Sequence, residues 1–462
     1  MLLKNRRFLI VGFARSGLAA ACFLMERGAR VTITDLKSRE ELLTSIERLP
    51  GPVALVLGEH RRQDFLGADA IVLSPGVPAS IPLLREADEQ GVPILAEVEL
   101  AFRYLKGPVV GVTGSNGKTT TTSWIGHILR GSERDSVVAG NIGFPLIQAV
   151  SEQMPGQQRI HIVELSSFQL ETIERFHCQI ALLLNLTADH QDRYDSFEDY
   201  FRAKQRIFLN QSADDMAVLN LDDPALSKLA DRLRAQIFPF SRSKQLEEGA
   251  FVRQGRIICR KGGKEHSLMP IEDLPLKGGH NLENALAAAS AAYLLGLAPE
   301  VIRQGLAGFD GVEHRIELCG TLGGVSFYND SKATNVDSAA KALQAFDTPL
   351  ILIMGGLDKG GDFRSLRPLV EGRVRQLILI GQAASKIESA LQGAAPIERA
   401  GSLAQAVESA ASQAGSGDTV LLSPACASFD QFENYEQRGR IFKEEVRRRL
   451  EAEGRLHSLT DN

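Results

Sequence analysis

Disulfide and zinc-binding signatures are missing from this 462-residue sequence. Its five cysteines, Cys22, Cys178, Cys259, Cys319 and Cys426, form no C-x-x-C pair and are odd in number, which argues for a reducing compartment and against a disulfide framework or a zinc site. No apolar run approaches the roughly 20 residues needed to span a bilayer; the strongest, IALLLNL and LILIMGG, have strand length. Long basic runs are also absent, and 52 Lys plus Arg stand against 57 Asp plus Glu for a net charge of -5. Neither nucleic acid nor an anionic membrane is therefore an expected partner, and small anionic ligands would need local positive sites. The amino-terminal MLLKNRRFLIVGFARSG passes from a short apolar run into a glycine turn, not into a small-residue cleavage site, so it reads as a first strand and the expected location is cytoplasmic.

What is present is an ordinary globular composition, 44% hydrophobic, on a chain long enough for two to four domains. Apolar runs of four to seven residues alternate with Ala- and Leu-rich helical segments, the pattern of parallel strands joined by crossover helices. The expected class is α/β in three domains. A Rossmann-like amino-terminal domain spans 1–105, up to the break at KGP. A central P-loop ATPase-like domain spans 106–311 and includes a small antiparallel sheet, whose hairpins are signalled by Gln254-Gly255 and Gly262-Gly263. A Rossmann-like carboxy-terminal domain spans 312–462, with strands expected in VSFYND, PLILIMGG, QLILIG and TVLLSPA.

The stretch VVGVTGSNGKTTTTSWIGHIL is a strand, a glycine loop ending in Gly117-Lys118-Thr119, and a helix. Backbone N–H groups and the helix amino terminus can surround phosphate there, Lys118 can reach the outer phosphates, and Thr119 can offer a hydroxyl to Mg²⁺. The strict G-x-x-x-x-G-K-[ST] pattern fails because Val112 stands where its first glycine belongs. Context still favours ATP or another nucleoside triphosphate. Glu164 ends the strand RIHIVE and Asp189-His190 follows IALLLNL, so both are expected beyond the carboxyl ends of parallel strands. Taken singly, a capping acid and a satisfied loop histidine explain them as well. The first domain carries VGFARSG followed by VTITD, with Gly12, Gly17 and Asp35, but Ala14 replaces the middle glycine of a dinucleotide fingerprint. A diphosphate site and a purely structural tight turn both remain open.

One helical stretch, SFEDYFRAKQRIF, places Phe197, Phe201 and Phe208 on a single stripe that Lys204 completes. Two readings are open: the lysine bends its ammonium out to water, or it is held inside, where a buried amine is driven toward its neutral form and can add CO₂ as a carbamate.

Together, TGSNGKTTT, ELSSFQLE, NLTADHQDRY, HNLENALAA, NDSKATN and LLSPACASFDQF resemble the Mur ligases over essentially the whole chain, and the last two resemble the D-glutamate-adding branch. The resemblance implies an ADP-forming amide ligase of peptidoglycan precursor synthesis, acting on UDP-N-acetylmuramoyl-L-alanine and D-glutamate and needing ATP and two Mg²⁺ ions. It places the UDP substrate at Arg15, Ser16, Asp35, Leu36, Lys37, Gly76 and Asn141. It places ATP at Gly114, Ser115, Asn116, Gly117, Lys118, Thr119 and Thr120, with Asn281, Asn284, Arg315 and Asp330 toward the nucleoside; helix capping is the other explanation for the two asparagines. D-glutamate falls at Thr334, Lys359, Ser428, Phe429 and Tyr435, where phenylalanine often replaces the tyrosine in the family. Lys118, Glu164, His190 and Lys204 become the catalytic group, and Thr119, Glu164, His190 and a carbamate on Lys204 the metal ligands. A monomer is expected. A nicotinamide-dependent dehydrogenase would explain the first turn but not Lys118 or the third domain, and a nucleotide switch would leave the third domain without a role. A sibling ligase for another amino acid is the nearest alternative.

Overall fold

The computed structural model describes residues 3–154, 156–187, 193–194, 196–358 and 360–460, with side chains through residue 452. The chain forms two compact units, Met1–Phe309 and Asp310–Asn462. The first contains three sheets. Its amino-terminal sheet is parallel throughout, in the spatial order Ala54–Leu57, Arg30–Asp35, Arg7–Val11, Ala70–Leu73, Ile94–Ala96.

The second sheet, also parallel, runs Gln236–Ile237, Met216–Leu219, Ile180–Leu183, Val109–Thr113, Ile160–Glu164, Ser136–Gly140. Val109–Thr113 and Ile160–Glu164 are buried along their whole length, as expected of strands covered by helices on both faces. After Ile160–Glu164 the chain crosses to the far side of Val109–Thr113 to make Ile180–Leu183. That reversal opens a crevice at the carboxyl ends of these strands, where ligands of open α/β sheets collect.

The small third sheet contains the two expected hairpins. Gly249–Arg253, Arg256–Lys261 and Lys264–Pro270 pair antiparallel, and their turns place Gln254 and Gly255 at φ 49° and 69° and Gly262 and Gly263 at 58° and 74°. Two successive left-handed residues match the right-handed twist of the flanking strands.

In the second unit the four anticipated strands are Val325–Asn329, Leu350–Gly355, Val374–Ile380 and Thr419–Leu422. Glu317–Leu322 and Ile397–Arg399 were not anticipated; they occupy the two edges, and their half-exposed, polar residues carry little of the apolar run that marks a buried strand. Among the described residues no helix is long and apolar enough to cross a membrane.

Two acids of the helix Glu97–Phe102 reach from the first sheet's surroundings into the second's. Glu99 Oε2 accepts the N–H groups of Glu174, Arg175 and Phe176 at 2.9, 3.0 and 2.8 Å, while Glu97 Oε1 accepts that of Ile147 at 2.6 Å. A shared core containing Leu24, Leu100, Leu146, Ile147 and Leu183 surrounds them. Glu97 is 1% exposed and its Oε2 has no hydrogen-bond partner; burial pushes its carboxyl up to about 7, against the pull of the Ile147 N–H. An acid whose folded value lies above its unfolded one destabilises the fold progressively as pH rises between the two. Glu97 is thus expected to lower stability from about pH 4.5 to about 7, with no further change above. Glu97→Gln should match the native chain in thermal unfolding at pH 5 and melt higher at pH 8; equal melting differences at both values would contradict the assignment.

Candidate active site

The helix Lys118–Arg130 starts from Gly117 at φ 81°, and a Cβ built on Gly117 would lie 2.2 Å from Asn284 Oδ1. Glycine is required here for two reasons, a left-handed backbone and a close neighbour. The loop before it is fastened to the chain leaving Ile180–Leu183. Asn116 N donates to Asn185 Oδ1 at 2.8 Å, Asn185 Nδ2 returns a bond to Asn116 O at 3.1 Å, and Ser115 Oγ donates to Thr187 O at 3.0 Å. Asn185 and Thr187 were given no role in the sequence reading, although both stand in the NLTADHQDRY stretch that carries Asp189 and His190. Thr119 and Thr120 are buried on the first turn. Asn281 and Asn284 lie inside the helix Gly279–Leu294, after Gly278, so neither is its cap. Instead Asn284 Oδ1 takes the hydroxyl of Thr121 at 3.3 Å, and Asn281 Nδ2 donates to Lys277 O at 2.9 Å.

Lys204 is 1% exposed, which rules out an ammonium bent into water. The stripe proposed for it needs correction. Phe197, the first residue of the helix Phe197–Gln205, is 45% exposed, whereas Phe208, in the 3₁₀ turn Arg206–Phe208 that follows the helix, stays buried. The inward neighbour is Tyr200, one turn earlier, whose ring lies 4.7 Å from Lys204 Nζ and whose hydroxyl is 3.0 Å from Ser115 Oγ. Lys204 Nζ donates to Gly114 O at 2.8 Å, and so does Lys118 Nζ, at the same distance. Two amines thus meet at one carbonyl of the glycine loop.

Glu164, 2% exposed, ends its strand as expected. Its Oε1 accepts from Asn141 Nδ2 at 2.8 Å, so a residue assigned to the UDP substrate and one assigned to metal are in contact. Glu164 Oε2 is buried and accepts no hydrogen bond from the described residues. A buried carboxylate oxygen left open in this way is costly unless a cation or donor completes it. An open carboxylate oxygen is a hard donor of the kind Mg²⁺ takes together with phosphate and water. Asp189, His190 and Lys359 lie outside the described residues.

In the first sheet, Asp35 does not project freely: Oδ2 accepts from Phe13 N at 2.7 Å and Oδ1 from Lys37 N at 2.9 Å, joining the two turns assigned to UDP. The helix Arg15–Glu26 packs so closely on the first strand that a Cβ on Gly17 would lie 2.0 Å from Gly12 O. Arg15 donates to Gly143 O in the loop that carries Asn141. Ser16 is half-buried, and Leu36, Lys37 and Gly76 are exposed.

In the second unit, Asp330 and Thr334 follow Val325–Asn329, and Ser428 and Phe429 follow its parallel neighbour Thr419–Leu422. Asp330 is 4% exposed and accepts from Ser423 Oγ at 2.8 Å; burial raises its carboxyl to about 7, opposed by the nearby Arg315 charge. Arg315 lies between His314 and Ile316, both at positive φ, and its Nε is buried without a partner. Ser428 is buried, Phe429 is 66% exposed and half-buried Tyr435 stands at the start of the last helix. Arg438, absent from the sequence reading, is fully buried and ties these loops together. Its Nε donates to Ser331 Oγ at 3.0 Å, and its two terminal nitrogens donate to Ser331 O at 2.8 Å and Cys426 O at 3.2 Å. Burial pushes the guanidinium down to about 10. In sequence it is one more arginine of an arginine-rich helix.

Three family descriptions match in register with these elements: a MurD-like N-terminal domain of Mur ligases over residues 6–96, the Mur ligase middle domain over 112–292, and the Mur ligase glutamate ligase domain over 314–426. The chain belongs to the Mur ligase family. This Mur ligase is 50% identical to the UDP-N-acetylmuramoylalanine–D-glutamate ligase of Acidobacterium capsulatum, with 96% of this chain and 97% of the relative covered. It is 46% identical to the enzyme of that name from Koribacter versatilis, over 97% and 99%. Among solved structures, the fold is similar to a MurF ligase from Thermotoga maritima in complex with ADP, with a TM-score of 0.60, 16% identity and coverage of 97% and 99%. It is likewise similar to the UDP-N-acetylmuramate–alanine ligase MurC of that organism, with a TM-score of 0.59, 18% identity and coverage of 96% and 99%. The expected three-domain α/β architecture is thus the Mur ligase fold.

The closed space beside Gly117 gives a direct test of the loop in this Mur ligase. Gly117→Ala must move Asn284 and strain the backbone, which at roughly 1–3 kcal/mol should weaken ATP binding about 10- to 100-fold in a nucleotide titration while the circular dichroism spectrum is retained. Unchanged ATP affinity would show that the loop does not hold the nucleotide.

Proposed function

We propose that the chain is an ATP-dependent ligase that joins D-glutamate to UDP-N-acetylmuramoyl-L-alanine through an acyl phosphate, in cytoplasmic peptidoglycan precursor synthesis. The observation that carries this reading is the glycine loop at which Lys118 and Lys204 meet on the Gly114 carbonyl. The near-full-length relatives at 50% and 46% identity, named for this reaction, support the choice of substrates.

In this reading Gly114 to Thr120 surround the phosphates of ATP. Lys118 leaves the carbonyls of Gly114 and Ser115, which accept it at 2.8 Å, to neutralise oxygens that gain charge as the substrate carboxylate attacks the γ-phosphorus. Asn281, Asn284, Arg315 and Asp330 serve the nucleoside. Arg15, Ser16, Asp35, Leu36, Lys37, Gly76 and Asn141 hold the UDP substrate so that its alanyl carboxylate is presented in line. Thr334, Lys359, Ser428, Phe429 and Tyr435 take D-glutamate, whose amine attacks the acyl phosphate and expels phosphate. Thr119, Glu164, His190 and Lys204 hold two Mg²⁺ ions, which would supply charge neutralisation when bound. The domains are assigned to 1–105, 106–311 and 312–462, and the enzyme to a monomer.

Two ammonium groups on one carbonyl oxygen repel each other. Once the Lys204 ammonium has given up one proton, its neutral amine can add CO₂ with loss of a second, which reverses that charge and supplies an oxygen ligand. Lys204 thus serves as a carbamate.

The deciding assay is ADP release with UDP-N-acetylmuramoyl-L-alanine and a panel of amino acids. D-glutamate alone should stimulate it; stimulation by another amino acid would make the chain a sibling ligase, and amine-independent hydrolysis would make it a nucleotide switch. Lys204→Ala should lower ligation by at least about two orders of magnitude without altering the melting curve, and small carboxylic acids should restore part of it. An active alanine variant that carboxylates leave unchanged would remove the carbamate from the account.

A further inference from the structure

The carbonyls on either side of Gly76 are held by one side chain. Arg193 Nη1 donates to Pro75 O at 3.1 Å and Nη2 to Val77 O at 3.4 Å, so the guanidinium spans the exposed Gly76. Among the described residues nothing lies within 4 Å of the position a Cβ on Gly76 would take. The arginine is itself fixed. Nη2 also donates to Glu171 Oε2 at 2.8 Å, Glu171 Oε1 accepts the Tyr194 hydroxyl at 2.6 Å, and the guanidinium carbon lies 4.0 Å over the Phe168 ring. Only 13% of the Arg193 side chain and 19% of that of Glu171 is exposed.

The loop so held is coupled to the first turn. Val77 N donates to Ser74 O at 3.0 Å, closing 74–77 into a turn, and Ser74 Oγ donates to Gly12 O at 2.7 Å. A Cβ on Gly12 would come within 2.7 Å of Val77, so neither segment can shift without the other. A reciprocal tie runs from Arg15 to Gly143 O. Arg193 and Gly143 both lie among the elements of the second sheet, whereas Gly76 and Arg15 belong to the first, and the two ties cross in opposite directions.

We infer that Arg193 is a positioning residue for the UDP-bearing substrate: it sets the place of the Gly76 backbone, and through Ser74 that of the first turn, relative to the glycine loop of the second sheet. A planar guanidinium suits the task because its N–H donors have fixed directions and can serve two carbonyls and a carboxylate at once. A lysine could supply the charge but not the fork. This inference rests on the proposed reading of Arg15 and Gly76 as UDP-substrate residues.

The test is steady-state kinetics of the full chain with Arg193→Ala, Arg193→Lys and Arg15→Ala, varying UDP-N-acetylmuramoyl-L-alanine and ATP separately. Loss of two charge-assisted hydrogen bonds should raise the KM for the UDP substrate about 10- to 100-fold in Arg193→Ala. The lysine variant should fall in between, kcat and the KM for ATP should stay within about twofold, and millimolar guanidinium should restore part of the alanine variant's KM. If Arg15→Ala raises that KM and neither Arg193 variant does, the positioning role is wrong and the substrate reading stands. If none of the three raises it, both are wrong. An equal rise in the KM for ATP would make Arg193 a general support of the second sheet and would also overturn the inference. Should Arg193→Ala fail to fold, Arg193→Lys with a native melting curve decides by the same readouts.

Discussion

The Gly114 carbonyl is where the site is held together. It receives the amines of both Lys118 and Lys204 at 2.8 Å, one from the helix that begins at the loop and the other from a helix some ninety residues further along the chain. The loop can present that oxygen because Gly117 turns with a left-handed backbone beside Asn284, and because Asn185 and Thr187 hold Ser115 and Asn116 from the neighbouring strand end. Each condition depends on the strand order of the second sheet, which places the ends of Val109–Thr113, Ile160–Glu164 and Ile180–Leu183 next to one another. Glu164, ending the second of these strands, thereby stands with one oxygen engaged by Asn141 and the other open.

Several ionisable groups are buried at a cost to stability, and they divide by what they touch. Glu97 and Glu99 accept backbone N–H groups across the junction between the first two sheets. Arg438 donates to the backbone of two loops in the second unit, and Asp330 accepts from Ser423 and from the Ile316 N–H. In each case a charged or polar side chain satisfies backbone groups that sheet pairing leaves over, a requirement any irregular segment near a core must meet.

Sequence periodicity made legible what depends on local repetition. Parallel strands buried on both faces, the two hairpins, the glycine loop and the acid ending RIHIVE all stand where the residue pattern put them. Edge strands such as Glu317–Leu322 were missed because one side of an edge is solvent and its residues lose the apolar run. The lysine stripe was half right. Lys204 does face inward, but a period does not tell which end of a helix meets solvent: Phe197, at the first position of its helix, stands exposed, and Tyr200, one turn before Lys204, is the buried neighbour that the stripe passed over. Arg193, Arg438 and the Glu97–Ile147 bond act on carbonyls and N–H groups far away in sequence. No spacing rule announces such partners, since any residue's backbone can be the recipient.

We place activation of the carboxylate by phosphoryl transfer, before the amine attacks, at the glycine loop and its two lysines. Its most direct test is the fate of the carboxylate oxygen. With UDP-N-acetylmuramoyl-L-alanine carrying ¹⁸O in its alanyl carboxylate, ATP and D-glutamate, the oxygen that bonds to the γ-phosphorus must leave with it when the amide forms. One ¹⁸O atom is expected in each inorganic phosphate released, read by mass spectrometry; phosphate free of the label would contradict the acyl-phosphate route.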